Sequence, residues 1–291
     1  MFGINILGEA NNIILGDENP VLIRKFRGRL RVTVAGTPIY WDTYNGASPT
    51  EAHYGYCQVT YPEVIADPHP PFVFATPSSA ANGAMGLFAH TGAPGAWTGF
   101  SVLYIPVMTY KNGKRPAVGT DIGWDYHVCK FGDAPSNERW GMRVWNSVGK
   151  LTFDSSWDVV PFRSLLKGWT KISGGKYGGD NINSNHYWGN RVYSGYKDCD
   201  VAYEVYSHPW GVENGTLGVM ISSLSALRCT ADVGYSDDYQ FTTAPMVGFL
   251  GADRKTINAS VCFGHLQHAS TVYPAMNSFA LMTADFAHST A

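Results

Sequence analysis

The chain has 291 residues, a formal net charge of -2 and only 15% charged residues. That balance excludes the strongly basic surface a nucleic-acid binder needs, and no apolar run is long enough to span a bilayer as a helix. Gly 32, Pro 16 and 14% aromatic residues favour short strands and turns over long helices.

The opening segment alternates Phe2, Ile4 and Ile6 on one strand face, and Ile13 and Leu15 begin a returning strand. VLIRKFRGRLRVTV is a second alternating run. Strict period two there sets Leu22, Arg24, Phe26 and Gly28 against Ile23, Lys25, Arg27 and Arg29, and the basic residues read as a solvated strand face. YCQVTY and PFVFAT are strands separated by the turn-rich PEVIADPHPP. The Gly- and Ala-rich residues 78–99 read as a long surface loop around a short strand, GLFAH. SVLYIPV and WDYHVCKFG are strands, and RWGMRVWNSVGKLTFDSSW at 139–157 is a compact hairpin. FRSLLKGW reads as a helical turn or a strand with a bulge, and residues 168–190 as a loop long enough to need a functional reason. Repeated short strands follow, from VAYEVYSHPW to NSFALMTADF. No helix is strongly predicted. The pattern predicts an all-β chain of antiparallel β-sandwich modules with long loops.

The central hairpin repeats the N-terminus. A shift of 138 positions sets Phe2 against Trp140, Gly3 against Gly141, Ile4 against Met142, Ile6 against Val144, Ile13 against Leu151 and Leu15 against Phe153. Two strands are not stable alone. Each copy therefore reads as the first hairpin of a larger module, with one module at residues 1–138 and a related one at 139–291. The alternative is coincidence between two apolar hairpins. On either reading the apolar residues of the phrase belong to a core rather than a site.

Gly141, Met142, Val144, Trp145, Asn146, Gly149, Leu151, Phe153, Asp154 and Ser155 also carry a family resemblance. With Trp140 in place of Phe, the phrase resembles the opening of small tail-associated proteins of tailed bacteriophages, F-G-[LM]-x-[VI]-[YFW]-N-x-x-G-x-x-x-[FL]-D-S. Residues 2–17 resemble a diverged copy that lacks the Asn-Gly turn and the Asp-Ser ending. The resemblance covers only these two stretches, and its internal position differs from the usual N-terminal one. It implies a non-enzymatic virion component at the distal tail or its fibres, assembled as a homo-oligomer or symmetric hub with other tail proteins. It supplies no catalytic residue.

The side chains offer little chemistry of their own. His265 and His268 form an H-x-x-H pair without the glutamate of a zinc protease, and Asp121, Asp125, Asp198, Asp200 and Glu204 show no spacing that ties two carboxylates into one site. Asp237 and Asp238 read as a solvated turn. No catalytic residue, cofactor or metal site is expected. Cys57, Cys129, Cys199, Cys229 and Cys262 form no CxxC pair and read mainly as reduced, buried small hydrophobes, with one disulfide left open. The start of the chain lacks a basic leader, so synthesis in the host cytoplasm is expected. Asn214-Gly-Thr and Asn258-Ala-Ser match the glycosylation pattern but carry little weight without such a leader. The candidate surface-contact residues are His186, Tyr187, Trp188 and Tyr196, whose rings sit among Asn and Asp side chains. That mixture suits contact with a host-surface glycan or protein, and equally a loop pinned to its own domain or to a neighbouring subunit. A carbohydrate-binding receptor-recognition module and a surface glycan hydrolase are the alternative functions.

Overall fold

Apolar residues at alternate positions, punctuated by Gly, Pro and Asn, fold into antiparallel strands throughout the described residues. The computed structural model describes residues 6–7, 13–15, 20–35, 55–78, 81, 83–105, 116–177, 201–209, 217–223, 245–250, 256–264 and 281–286. Among these residues there is no α-helix. A hairpin of β1 (Ile6–Leu7) and β2 (Ile13–Leu15) comes first. Then come β3 (Leu22–Arg31), β4 (Val34–Ala35), β5 (Gly55–Ile65), β6 (Phe72–Pro77), β7 (Ala84–Ala93), β8 (Ala96–Ile105) and β9 (Asp121–Phe131). A second hairpin, β10 (Arg143–Trp145) and β11 (Leu151–Asp154), opens the other half. It is followed by β12 (Phe162–Leu166), β13 (Thr170–Tyr177), β14 (Val201–Pro209), β15 (Leu217–Met220), β16 (Pro245–Leu250), β17 (Thr256–Gly264) and β18 (Leu281–Asp285).

The strand order is the same in both halves. One large sheet runs β12-β18-β15-β6-β9-β3, and the other runs β13-β14-β17-β16-β7-β8-β5-β4. Each second-half strand holds the place of the first-half strand nine earlier, reflected about the β6–β15 and β7–β16 seams. Both seams are antiparallel, with Val219 opposite Ala75 and Val247 opposite Met85, as a local two-fold rotation requires. The order starts again at β10, just beyond residue 138. The halves are not separate sandwiches, however. Each large sheet runs unbroken from one half into the other, because β6 and β7 complete their hydrogen bonding on β15 and β16.

The core between the sheets is likewise shared. Val73, Phe100, Val102 and Trp124 of the first half pack in one cluster with Val219, Ile257 and Leu281 of the second. Ring contacts join the two layers: Phe26 of β3 stacks on Tyr61 of β5, and Phe100 of β8 meets Tyr126 of β9, each at 5.4 Å between centroids. Burying each such side chain is worth about 1.5–3 kcal/mol, so this shared layer dominates stability.

A second cluster, Leu22, Phe74, Cys129, Val160, Ala284 and Phe286, covers the outer face of the six-stranded sheet. Residues 157–161 cross this face as a strap. Val160 N–H donates to Leu22 C=O at 2.9 Å, Arg24 N–H to Asp158 C=O at 2.8 Å, and Asp285 N–H to Pro161 C=O at 3.0 Å. Leu22 and Val160, which meet here, are 160 − 22 = 138 positions apart, the shift that aligns the two hairpins.

Three local expectations change. Residues 84–99, expected as a loop around a short strand, form most of the long hairpin of β7 and β8, which ends at Ile105. Its glycines serve close strand approach: a Cβ at Gly99 would collide with the Val59 carbonyl oxygen. Residues 170–177 form β13, so a strand occupies the first part of the expected 168–190 loop. The basic row of β3, from Arg24 to Arg29, is solvated only at Arg27. A bulge between Arg24 and Phe26 makes Lys25 the extra residue, which sets Arg24 opposite Cys129, Arg27 opposite His127 and Arg29 opposite Asp125 on the outer face. There Arg24 pairs with Asp158 at 2.6 Å and Arg29 with Asp121 at 2.8 Å, while Lys25 pairs with Asp133.

Candidate interaction surface

The central hairpin is held by its polar residues. Asn146 Oδ1 accepts from the N–H groups of Val148 at 3.1 Å and Lys150 at 2.8 Å, and its own N–H donates to Lys150 C=O at 2.8 Å. Gly149, at φ 79°, completes the turn. At the open end, Met142 N–H donates to Ser155 Oγ and Ser155 N–H to Met142 C=O, at 3.0 and 2.9 Å. A Cβ on Gly141 would collide with that hydroxyl.

Asp154 is the hub. It is 2% exposed, yet both oxygens are satisfied. Oδ1 accepts from Ser156 N–H at 3.0 Å and Ser156 Oγ at 2.7 Å, and Oδ2 from Ser136 N–H at 3.1 Å, Ser136 Oγ at 3.0 Å and Arg143 Nε at 2.8 Å. Burial by itself would raise this carboxyl. The donors of Ser156, Arg143 and Ser136 outweigh burial and hold it well below the usual carboxylate range. Arg143 Nη2 also donates to the carbonyls of Ser136 at 2.6 Å and Glu138 at 3.0 Å, tying the incoming chain to the hairpin. Val21 N–H donates to Thr152 C=O at 3.0 Å, which anchors the hairpin to the start of β3.

With polar groups holding the hairpin, its large apolar residues turn outward. Val144 and Leu151 are buried, but Trp140 is 89% exposed, Val148 84%, Trp145 51% and Met142 41%. The expectation that the apolar residues of the phrase form core therefore holds for two of them and fails for these four. The signal was present in the sequence. Val144 and Trp145 are adjacent and point to opposite faces of a two-stranded hairpin, which has only one face to bury.

None of the protein-family models, curated proteins and solved structures compared with the chain matches it.

The candidate contact residues His186, Tyr187, Trp188 and Tyr196 lie outside the described residues, as do His265, His268, Asp198, Asp200, Asp237, Asp238 and Asn214. Asp121 and Asp125 are brought together, but by Arg29, which bonds both in an ion-pair network that also reaches Ser78. Among the described residues no three His, Cys, Asp or Glu side chains converge as a metal site would require. Cys57 and Cys129 are buried free thiols; burial, with the nearby Asp121 charge, pushes Cys57 up to about 12, far from a reactive thiolate. Asn258 of the second glycosylation pattern is buried in β17, where no glycan could be attached. No helix among the described residues is long and apolar enough to cross a membrane.

One buried polar group was missed from sequence. His127 of β9 lies under the strap, stacked on Phe286 at 3.8 Å between centroids. Arg24 Nη1, 3.3 Å from Nδ1, can only donate, so Nδ1 accepts and the proton sits on Nε2, which donates to Thr76 Oγ1 at 2.9 Å. Burial, then the charges of Arg24 and Arg27, push the imidazole down from its ordinary 6.5 to about 3. It is a neutral structural brace. Its signal, a lone His inside an apolar strand, does not distinguish a brace from a ligand.

Proposed function

We propose that the chain is a structural component of a bacteriophage tail, at the distal tip or in a fibre, and that its central hairpin attaches it to a neighbouring tail subunit. One observation carries the reading. The phrase at 140–155 resembles the tail-associated family, and its Asn, Gly, Asp and Ser residues build a rigid hairpin that offers Trp140, Met142, Trp145 and Val148 to solvent. Aromatic and Met side chains held on a rigid support are what protein interfaces use as anchors.

Mass spectrometry and antibody-labelled electron microscopy of purified particles test it. The expected result is the chain at the tail end of the particle, and a double variant, Trp140→Ala with Trp145→Ala, that melts like the parent but is lost from particles. Complete particles that lack the chain overturn the reading. Two exposed indole rings also favour a second reading, a carbohydrate-binding surface for receptor recognition. A glycan array on the parent chain and the double variant separates the two, since only sugar recognition gives a glycan signal that the double variant loses.

A further inference from the structure

From the edge strand β12 we infer a second interaction surface, one that accepts an extended polypeptide segment with alternating acidic and apolar side chains. It stands independently of the virion reading.

Among the described residues β12 ends the six-stranded sheet, with β18 on one side and no strand on the other. Ser164 N–H and C=O both bond Thr283 Oγ1 of β18, at 3.1 Å each. Main-chain groups alternate sides along a strand, so those of Leu165 point to the open side. Its side chains are open too: Phe162 is 45% and Leu165 47% exposed on either side of a register shift between Phe162 and Ser164, and Arg163 and Ser164 are exposed beside them. Open edges with apolar side chains are templates for another strand, because that partner alone satisfies the unpaired donors and acceptors while covering the side chains.

Charge selects the partner. From Phe162 to Gly168, across β12 and the turn that follows it, the chain carries Arg163 and Lys167 and no Asp or Glu. A second copy of this edge would bring like charges together. An incoming strand with acidic residues between its apolar ones meets both requirements. The equivalent strand of the first half, β3, is not bare in this way: its N-terminal end bridges to the strap through Ile23 and Val159, Arg24 pairs with Asp158 of the strap, and Arg29 pairs with Asp121 of β9.

The test is titration of the full chain with a short alternating Glu–Val peptide, an alternating Lys–Val peptide, and the Glu–Val peptide with a central Pro, read by fluorescence anisotropy. The expected result is saturable binding of the Glu–Val peptide alone. Leu165→Pro removes an outward donor and should weaken it at least about tenfold, equivalent to about 1.4 kcal/mol. The pair Arg163→Glu and Lys167→Glu should turn the preference to the Lys–Val peptide, which keeps the test decisive should Leu165→Pro fail to fold. Equal binding of all three peptides, no binding of any, or unchanged charge preference in the Glu variants overturns the proposal. So does a dimer of the free chain, seen by light scattering, that Leu165→Pro abolishes, since the occupant would then be a second copy.

Discussion

β3 and β12 hold the same place in the two halves, yet they solve the problem of a sheet edge in opposite ways. β3 is ten residues long, twisted by bulges at Arg24–Phe26 and Arg29–Arg31, loaded with paired basic residues, and met at its start by the strap. β12 is five residues long, with a register shift of its own between Phe162 and Ser164, and among the described residues leaves Phe162 and Leu165 in solvent without a strap or an ion pair across them. Charge and cover are among the means by which edges avoid pairing with other chains, and paired charge and a covering strap are what β3 has and β12 lacks. A strand order that occurs twice thus carries polar residues where it must be sealed and apolar residues where it is open. The comparison makes β12, rather than the shared architecture, the place to look for what distinguishes the halves.

The largest effect should come from unsealing β3. Arg24→Ala leaves Asp158 without its cation and His127 Nδ1 without a donor beneath the strap. A loss of about 3 kcal/mol is expected in urea unfolding, toward the low end for a broken buried pair because Asp158 keeps some contact with water. Arg163→Ala at the corresponding edge should change the midpoint by less than about 0.5 kcal/mol. Equal losses at the two sites would erase the contrast.

Next is acid. The His127 imidazole lies below its unfolded value, so between about 3 and 6.5 the unfolded chain binds the additional proton. Its contribution is complete above pH 6.5 and falls as pH drops, by on the order of 2 kcal/mol at pH 5. Carboxylates contribute little to the slope in that window, because Asp121, Asp133 and Asp154 are all held below their ordinary range and release their stability only at lower pH. Urea midpoints measured from pH 7.5 to pH 5 should therefore fall for the parent and stay nearly level in His127→Gln.

Much of this was legible in the residues, and the failures have physical causes. The all-β sandwich follows from period-two alternation, and the strand order begins again at β10, in the second of the two aligned hairpins. What period two could not supply is which face an apolar residue takes when a bulge intervenes. Lys25, one extra residue, moves Arg27 and Arg29 to the face of Arg24, where Arg24 and Arg29 are paired and Arg27 stays exposed. Nor does alternation tell a strand on a sandwich from a free hairpin. Val102 and Trp145 both belong to alternating apolar runs, but Val102 has a second layer over its sheet while Trp145 has water. The seams were invisible for a related reason, since β6 and β15 are separated by more than a hundred residues and neither signals its partner locally.

A smaller effect, confined to the hairpin, is expected from Asp154→Asn. The amide keeps an acceptor for Ser156 but loses the charge that Arg143 and Ser136 address, at about 1–2 kcal/mol. Hydrogen exchange should show the amides of Asn146 to Ser156 opening while those of β6 and β9 stay protected. Loss of protection in both would mean that the hairpin and the sandwich unfold as one unit.

The smallest effect tests the open edge itself. Leu165→Ser removes apolar surface that is already half in water, from a strand whose ladder to β18 is made by its backbone and by Ser164. Stability should move by no more than about 0.5 kcal/mol, since only the buried part of the side chain contributes to folding. If β12 were instead sealed by folding contacts, the way β3 is, the same substitution would cost several times more. A null result on stability is therefore the informative one: it would leave Leu165 exposed on a sheet edge for a reason that folding does not supply, and recognition of another strand is the physical use such an edge has.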